Sequence, residues 1–203
     1  MVDYTRAIKR PFGDFERLAL GIVLEVIPII NFIAMGYQLE CAKTAMKKNF
    51  KLPEWKNFGD YFVQGLVMTL IVLAYVLIPV ILMAISGVGI APSFMKGNFA
   101  ALGGAGIGFI ASLLLLIVAL YIIPVALMNY VKSGKIDSAF SFSEVLRKAF
   151  TGKYFVAWLV ASIYGFILMV PLSFIPFIGW AIAGFIAGVT SMTIFGEVYT
   201  EIK

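Results

Sequence analysis

The stretch "VPLSFIPFIGW", residues 170–180, decides the fold because it lies within a long range without charged residues, Tyr154–Gly196. A continuous helix over that range would be about 65 Å long, roughly twice the hydrocarbon thickness of a bilayer. The two prolines, the serine and the glycine of the stretch do not continue a helix easily. The chain is therefore predicted to turn here, as a hairpin of two spans at about 154–170 and 177–197.

The composition indicates an integral membrane protein. Of 203 residues, 62% are hydrophobic and only 13% are charged, and the mean hydropathy is +0.99. A soluble domain of this length would need more charge to cover its surface. Two further charge-free ranges, Tyr61–Met95 and Gly97–Val131, are each long enough to cross a membrane. We therefore predict an all-α polytopic bundle, forming a single membrane domain over residues 1–203.

The middle of the chain is predicted to form another helical hairpin, at about 61–131. Two apolar helices, Tyr61–Ile85 and Gly104–Val131, are separated by the glycine-rich segment "SGVGIAPSFMKGNFAALGG", residues 86–104. This segment also holds Lys96, a charge between two apolar ranges. Glycine and charge at this position favour a long loop.

Residues 13–46 are predicted to form the first hairpin, which is short. The stretch "IPIINFIAMGY" (27–37) resembles "IPFIGWAIAGF" (175–185), since each has Ile-Pro near its start and a glycine before an aromatic residue. The arms have about 15 residues each, so a re-entrant hairpin and local thinning of the bilayer are both compatible with them.

The basic residues provide an independent test of this hairpin. If residues 13–46 crossed the membrane once, the four basic residues of the N-terminal segment would lie outside with Lys96. If the segment turns back, Lys96 is the one basic residue of the sixteen on the outer side. The positive-inside rule favours the second arrangement. We therefore predict six membrane segments in the plasma membrane, with both termini cytoplasmic. The formal net charge of +5 is then explained by membrane orientation, and no nucleic-acid partner is expected.

Two amphipathic segments are predicted to lie on the inner leaflet. In "LPEWKNFGDYF" (52–62), Pro53 is expected to begin a helix that places Trp55 and Phe58 at the interface. Trp180, beside the turn of the last hairpin, is a third candidate interfacial residue.

The second amphipathic segment is "SFSEVLRKAF", residues 141–150. Ser141 and Glu144 have the spacing of a capping box. The apolar residues share one face, and Arg147 and Lys148 are expected on the opposite, polar face. Anchoring to the membrane and docking of a partner are both compatible with such a helix.

No catalytic, cofactor or metal site is predicted, because the chain has no histidine and one cysteine. Polar side chains at membrane depth are nevertheless candidate functional positions. These positions are Glu25, Asn31, Gln38, Glu40 and Glu197. The alternatives are a position near the outer surface for Glu25, and salt pairing with neighbouring lysines for Glu40 and Glu197.

Small residues spaced four apart predict close helix packing, either inside the bundle or between protomers. They are Gly104, Gly108, Ala183, Gly184, Ala187 and Gly188.

The first hairpin and the segment after it carry a family resemblance. "IPIINFIAMGY" followed by "LPEWKNFGDYFVQG" resembles the pattern of small archaeal and bacterial multi-pass membrane proteins catalogued as a domain of unknown function. The matching positions are Pro28, Ile29, Asn31, Gly36, Tyr37, Leu52, Pro53, Trp55, Phe58 and Gly59. The general layout is also similar to membrane domains beside glycerophosphodiester phosphodiesterases. The resemblance implies a membrane fold and brings no known activity.

Three functions follow as expectations. The first is transport or permeation of a small solute or lipid, by a protein whose expected partners are membrane lipids. The second is a structural or assembly subunit, which binds a second copy or another membrane protein. The third, a lipid-modifying enzyme, is disfavoured by the lack of histidine and of clustered carboxylates, so no enzymatic activity is expected.

Overall fold

The computed structural model describes residues 2–176 and 178–202, and the regular elements of these ranges are all helices. The prediction of an all-α protein is confirmed. The helices are α1 (Tyr4–Lys9), α2 (Phe15–Val26), α3 (Asn31–Met46), α4 (Phe58–Met95), α5 (Phe99–Ser133), α6 (Phe142–Ala149), α7 (Gly152–Leu172) and α8 (Gly179–Tyr199). Short 3-10 helices cover Arg10–Gly13 and Ile136–Phe140.

Four helices in the described part of the chain, α4, α5, α7 and α8, are long and apolar enough to cross a membrane. The prediction of a membrane protein with transmembrane helices is therefore confirmed. Helices α2 and α3 have 12 and 16 residues. Their lengths of about 18 and 24 Å are less than the hydrocarbon thickness of a bilayer. The six-segment arrangement stays a prediction.

The chain divides into two compact units. The first unit consists of the residues up to Thr69 and those from Pro124 onward, and the second unit is Leu70–Ile123. In the first unit, α8 packs against α1, α2, α3 and α7, and most of its side chains are buried. Helix α8 is therefore the centre of this unit.

Both turns predicted in the outer hairpins coincide with breaks between helices. Helix α2 ends at Val26 and α3 begins at Asn31, and the two helices pack against each other. Helix α7 ends at Leu172, and α8 begins at Gly179. Phe177, where the second span of that hairpin was predicted to begin, lies outside the described residues.

The prediction of a long loop at 86–104 is wrong. Helix α4 continues to Met95 and α5 begins at Phe99. The reason is close packing inside the second unit, where a Cβ on Gly108 would lie 2.7 Å from Ser86 Oγ. A Cβ on Gly89 would likewise lie 3.4 Å from the Cβ of Ala105. Contact between the two helices thus offsets the low helix propensity of these glycines.

The helix predicted to begin at Pro53 begins instead at Phe58. Trp55 precedes it, and its ring stacks on Tyr37 with the centroids 3.8 Å apart. The indole nitrogen of Trp55 donates to the backbone oxygen of Arg17 at 3.1 Å. These tertiary contacts determine the backbone before Phe58, and they outweigh the preference of proline for a first helical turn.

The predicted amphipathic helix at 141–150 is present as α6, but its capping box is not. Ser141 is the N-cap without a side-chain cap bond, and the Glu144 carboxylate accepts from Lys148 Nζ at 2.7 Å. That bond lowers the pKa of the Glu144 carboxyl.

Lys148 was predicted on the polar face of α6 and is instead only 4% exposed. Its Nζ donates to the Tyr199 hydroxyl at 2.7 Å and lies 3.9 Å from the centre of the Tyr199 ring. The same hydroxyl donates to Asn129 Oδ1 at 2.6 Å. A cation bonded to a hydroxyl and placed over its ring can be buried, which amphipathic periodicity cannot indicate.

Candidate functional site

Glu25, in the last turn of α2, carries an unusual carboxylate. Its Oε2 is buried and has no hydrogen-bond partner among the described residues. Its Oε1 lies 3.5 Å from the place where a Cβ on Gly184 would be. A Cβ would be in ordinary van der Waals contact at that distance, so the Glu25 carboxylate packs directly beside Gly184 of α8. A carboxylate is costly to bury without a partner.

Gln38 lies against α8 one helical turn further along. It is buried, and its side-chain amide occupies the space that a Cβ on Gly188 would need. A polar side chain of α2 thus lies beside Gly184 and one of α3 beside Gly188, and at Gly188 the absence of a Cβ is required. We call Glu25, Gln38 and these two glycines the polar strip.

The other small residues of α8 also pack inside the chain. Ala183 is buried, and Ala187 lies 3.9 Å from the place of a Cβ on Gly165 of α7. Gly108 packs on Ser86 within the second unit, whereas a Cβ on Gly104 would meet no atom within 4 Å. Of the predicted packing positions, Gly104 is thus the one that the described residues leave open.

The other three polar candidates, Asn31, Glu40 and Glu197, lie outside the polar strip. Asn31 is the first residue of α3 and is half-buried. Glu40 pairs with Lys43 at 3.3 Å. Glu197 is buried, and its carboxylate accepts from Lys48 Nζ at 3.3 Å and from the backbone N–H of Asp3 at 3.2 Å. Glu40 and Glu197 therefore form the salt pairs with lysines that were the alternative interpretation of these two residues.

The three candidate interfacial residues differ in their surroundings. The Trp55 ring stacks between Tyr37 and Phe58, and its centroid is 6.0 Å from that of Phe58. Trp180, in the first turn of α8, is exposed. Their position at a membrane interface stays a prediction.

A second polar cluster is centred on Arg10, one of the four basic residues of the N-terminal segment, for which no role in a site was predicted. Arg10 is 4% exposed. Its Nη1 donates to the Cys41 carbonyl at 2.7 Å and to Thr193 Oγ1 at 2.9 Å. Its Nη2 donates to Thr44 Oγ1 at 2.6 Å and to the Lys51 carbonyl at 3.0 Å. The side chain thereby joins the N-terminal segment to α3, to α8 and to the loop after α3. Burial lowers the pKa of the Arg10 guanidinium.

Residues 2–176 and 178–202 contain no candidate metal site. No group of three or more His, Cys, Asp or Glu side chains there could hold a metal ion. The polar strip offers a carboxylate that can bind a proton, and the Arg10 cluster offers a guanidinium that can attract an anion.

Comparison with known proteins identifies a family but no activity. A family model described as "Protein of unknown function (DUF4013)" matches residues 19–177. Searches of curated proteins and of solved structures gave no match. The matched range contains α3 to α7 completely, and the predicted resemblance to a family of unknown function is confirmed.

Proposed function

This chain belongs to the DUF4013 family of proteins of unknown function, and we propose that it is a transport or permeation protein for a small solute or lipid, with Glu25 as the proton-binding group of its pathway. The supporting observation is the buried carboxylate oxygen of Glu25 without a partner. Glu197 in the same chain is buried too, but it has a lysine and a backbone N–H as partners. The contrast favours a role for Glu25 beyond stability.

The proposed membrane arrangement has three helical hairpins, formed by α2 with α3, α4 with α5, and α7 with α8. We place both termini in the cytoplasm and the protein in the plasma membrane, because this layout leaves Lys96 as the one basic residue outside. If Phe15, the first residue of α2, lies at the cytoplasmic edge of the hydrocarbon core, Glu25 would lie about 15 Å deeper, close to the middle of a core about 30 Å thick.

The polar strip supports movement of a proton at this depth. A carboxylate with a free oxygen can bind and release a proton, and the Gln38 amide provides a polar neighbour on the same side of α8. We propose neither an enzymatic activity nor a nucleic-acid partner for this chain.

Replacing Glu25 by glutamine is expected to reduce proton flux at least tenfold, because an amide of the same shape does not titrate. The measurement uses proteoliposomes containing a pH-sensitive dye and a potassium diffusion potential. Glu16→Gln is the matched control, since Glu16 is an exposed carboxylate in the first turn of the same helix. Equal flux in the Glu25 variant and the wild type, or no wild-type flux above that of empty vesicles, would contradict the role of Glu25.

A structural or assembly subunit is the second candidate function, and the α5 glycines favour it. A Cβ on Gly103, Gly104 or Gly106 would meet no atom within 4 Å, and Ile107 beside them is exposed. Open glycines next to apolar side chains allow the close approach of another helix. Gly184 and Gly188, in contrast, already contact side chains of this chain.

Under the assembly hypothesis, Gly104→Leu is expected to reduce an oligomer to monomers without unfolding the chain, because the added side chain meets only open space. Light scattering in detergent measures the mass. Leu120→Ala is the control, since Leu120 is an exposed residue of α5 away from the glycines. A wild-type protein that is monomeric and binds no partner would rule the assembly role out.

A further inference from the structure

A cavity of about 470 Å³ lies between the N-terminal segment and the loop after α3. It is lined by Arg6, Lys9, Arg10, Gly13, Asp14, Arg17, Phe50, Lys51 and Leu52. Five of these residues are cationic and one is acidic. We call it the basic cavity. It contains none of the residues of the polar strip.

Two of its cations are already paired. The Arg6 guanidinium bonds to the Asp3 carboxylate at 2.9 Å and lies 4.3 Å from the centre of the Phe50 ring. The Arg17 guanidinium pairs with the Asp14 carboxylate at 2.9 Å. These two arginines thus line the basic cavity with their charges already paired, and Asp14, the acid of the lining, is the partner of Arg17.

Lys9, Arg10 and Lys51 have no carboxylate partner in the described part of the chain. Three positive charges around one cavity repel each other, and a bound anion would offset this repulsion. Lys9 and Lys51 have flexible side chains, so their ammonium groups can move towards such an anion.

Arg10 provides the second observation that points to a ligand. The side chain lines the basic cavity and is buried, yet its Nε has no hydrogen-bond partner. Its Nη atoms are held by neutral oxygens of Cys41, Thr193 and other residues, so the guanidinium is fixed in place and its charge is not neutralised. A buried cation without a counter-ion is costly, and an anion bound in the cavity would offset that cost.

We propose that the basic cavity binds a phosphate group. A phosphate presents several acceptor oxygens and one or two negative charges, which matches a fixed guanidinium with two mobile ammonium groups. The apolar wall of Phe50 and Leu52 suits a phosphate that is attached to an organic group. The source of the phosphate is either the headgroup of an anionic lipid or a free phosphate, and the experiment distinguishes them.

The test uses the full chain purified in a detergent without phosphate. One arm titrates inorganic phosphate by calorimetry, and the other measures retention of phosphatidylglycerol against phosphatidylcholine by native mass spectrometry. The variant is Lys9→Gln with Lys51→Gln, which removes two charges and leaves Arg10 in place. The matched control is Lys47→Gln with Lys135→Gln, two exposed lysines that do not line the basic cavity.

We expect the Lys9/Lys51 variant to bind at least tenfold more weakly in the arm where the wild type binds, with the control unchanged. Loss in the calorimetric arm identifies free phosphate as a ligand, and loss of phosphatidylglycerol retention identifies the lipid headgroup. The proposal is overturned if the wild type binds in neither arm, if the variant binds like the wild type, or if the control weakens equally. Proton flux through Glu25 is a separate measurement, so either proposal can fail without the other.

Discussion

Replacing Gly36 with alanine is expected to destabilise the first unit strongly. A Cβ at this position would clash with the backbone carbonyl of Tyr61 on α4. The contact is reciprocal, because a Cβ on Gly65 of α4 would clash with the backbone of Phe32 on α3. The two helices therefore touch backbone to backbone at two glycines, and neither backbone can move without separating the helices.

We expect Gly36→Ala to lower the free energy of unfolding by about 3 kcal/mol or more, the upper range for overpacked cores. Thermal unfolding in detergent, followed by gel filtration, measures the loss. Gly103→Ala is the control, because its Cβ would meet no atom within 4 Å. That helical substitution is expected to be neutral or to stabilise by about 0.5–1 kcal/mol. Equal midpoints for the two variants would show that α3 and α4 are not in backbone contact.

The second large effect is expected at Arg10. Arg10→Lys retains the charge but cannot reach Cys41, Thr193, Thr44 and Lys51 together, since an ammonium lacks the planar fork of a guanidinium. Buried acceptors would lose their donors, and we expect the free energy of unfolding to fall by about 3 kcal/mol. Arg10→Met, which removes the charge as well, is expected to be at least as destabilising.

Chemical unfolding monitored by tryptophan fluorescence measures these losses. Arg147→Lys is the control, because Arg147 is exposed on α6 and is expected to change stability by less than about 0.5 kcal/mol. If Arg10→Lys unfolds at the wild-type denaturant concentration, the hydrogen bonds of Arg10 do not stabilise the fold. A loss in Arg10→Met alone would show that charge matters more than geometry.

Local signals in the sequence were sufficient for the class of fold and for the main turns. Ranges without charge predicted the transmembrane helices, because burying charge in lipid is costly. The helix breaks after Val26 and Leu172 coincide with prolines, which act on the backbone where they stand. Such effects depend on neighbouring residues alone and are therefore readable in one sequence.

The errors arose where distant residues determine the structure. The glycines at 86–104 indicated a loop, but contact between α4 and α5 keeps them helical. Lys148 is buried because Tyr199, far along the chain, provides a hydroxyl and a ring. Each of these outcomes depends on a partner that periodicity does not identify.

The candidate site was predicted only in part, for the same reason. Glu25 and Gln38 were named as polar residues at membrane depth, yet no pattern showed that both lie against glycines of α8. Arg10 was missed because two of its acceptors are backbone carbonyls, of Cys41 and Lys51, and any residue type has a carbonyl.

The length of α4 has a consequence for the bilayer around it. Its 38 residues extend about 57 Å, so tilting the whole helix into a 30 Å core would require an angle of roughly 60°. Transmembrane helices tilt by about 0–40°, so inclination alone does not hide the excess. Bulky side chains near its end, such as Val88 and Phe94, are exposed. We therefore expect thickened lipid or another protein to shield this end from water.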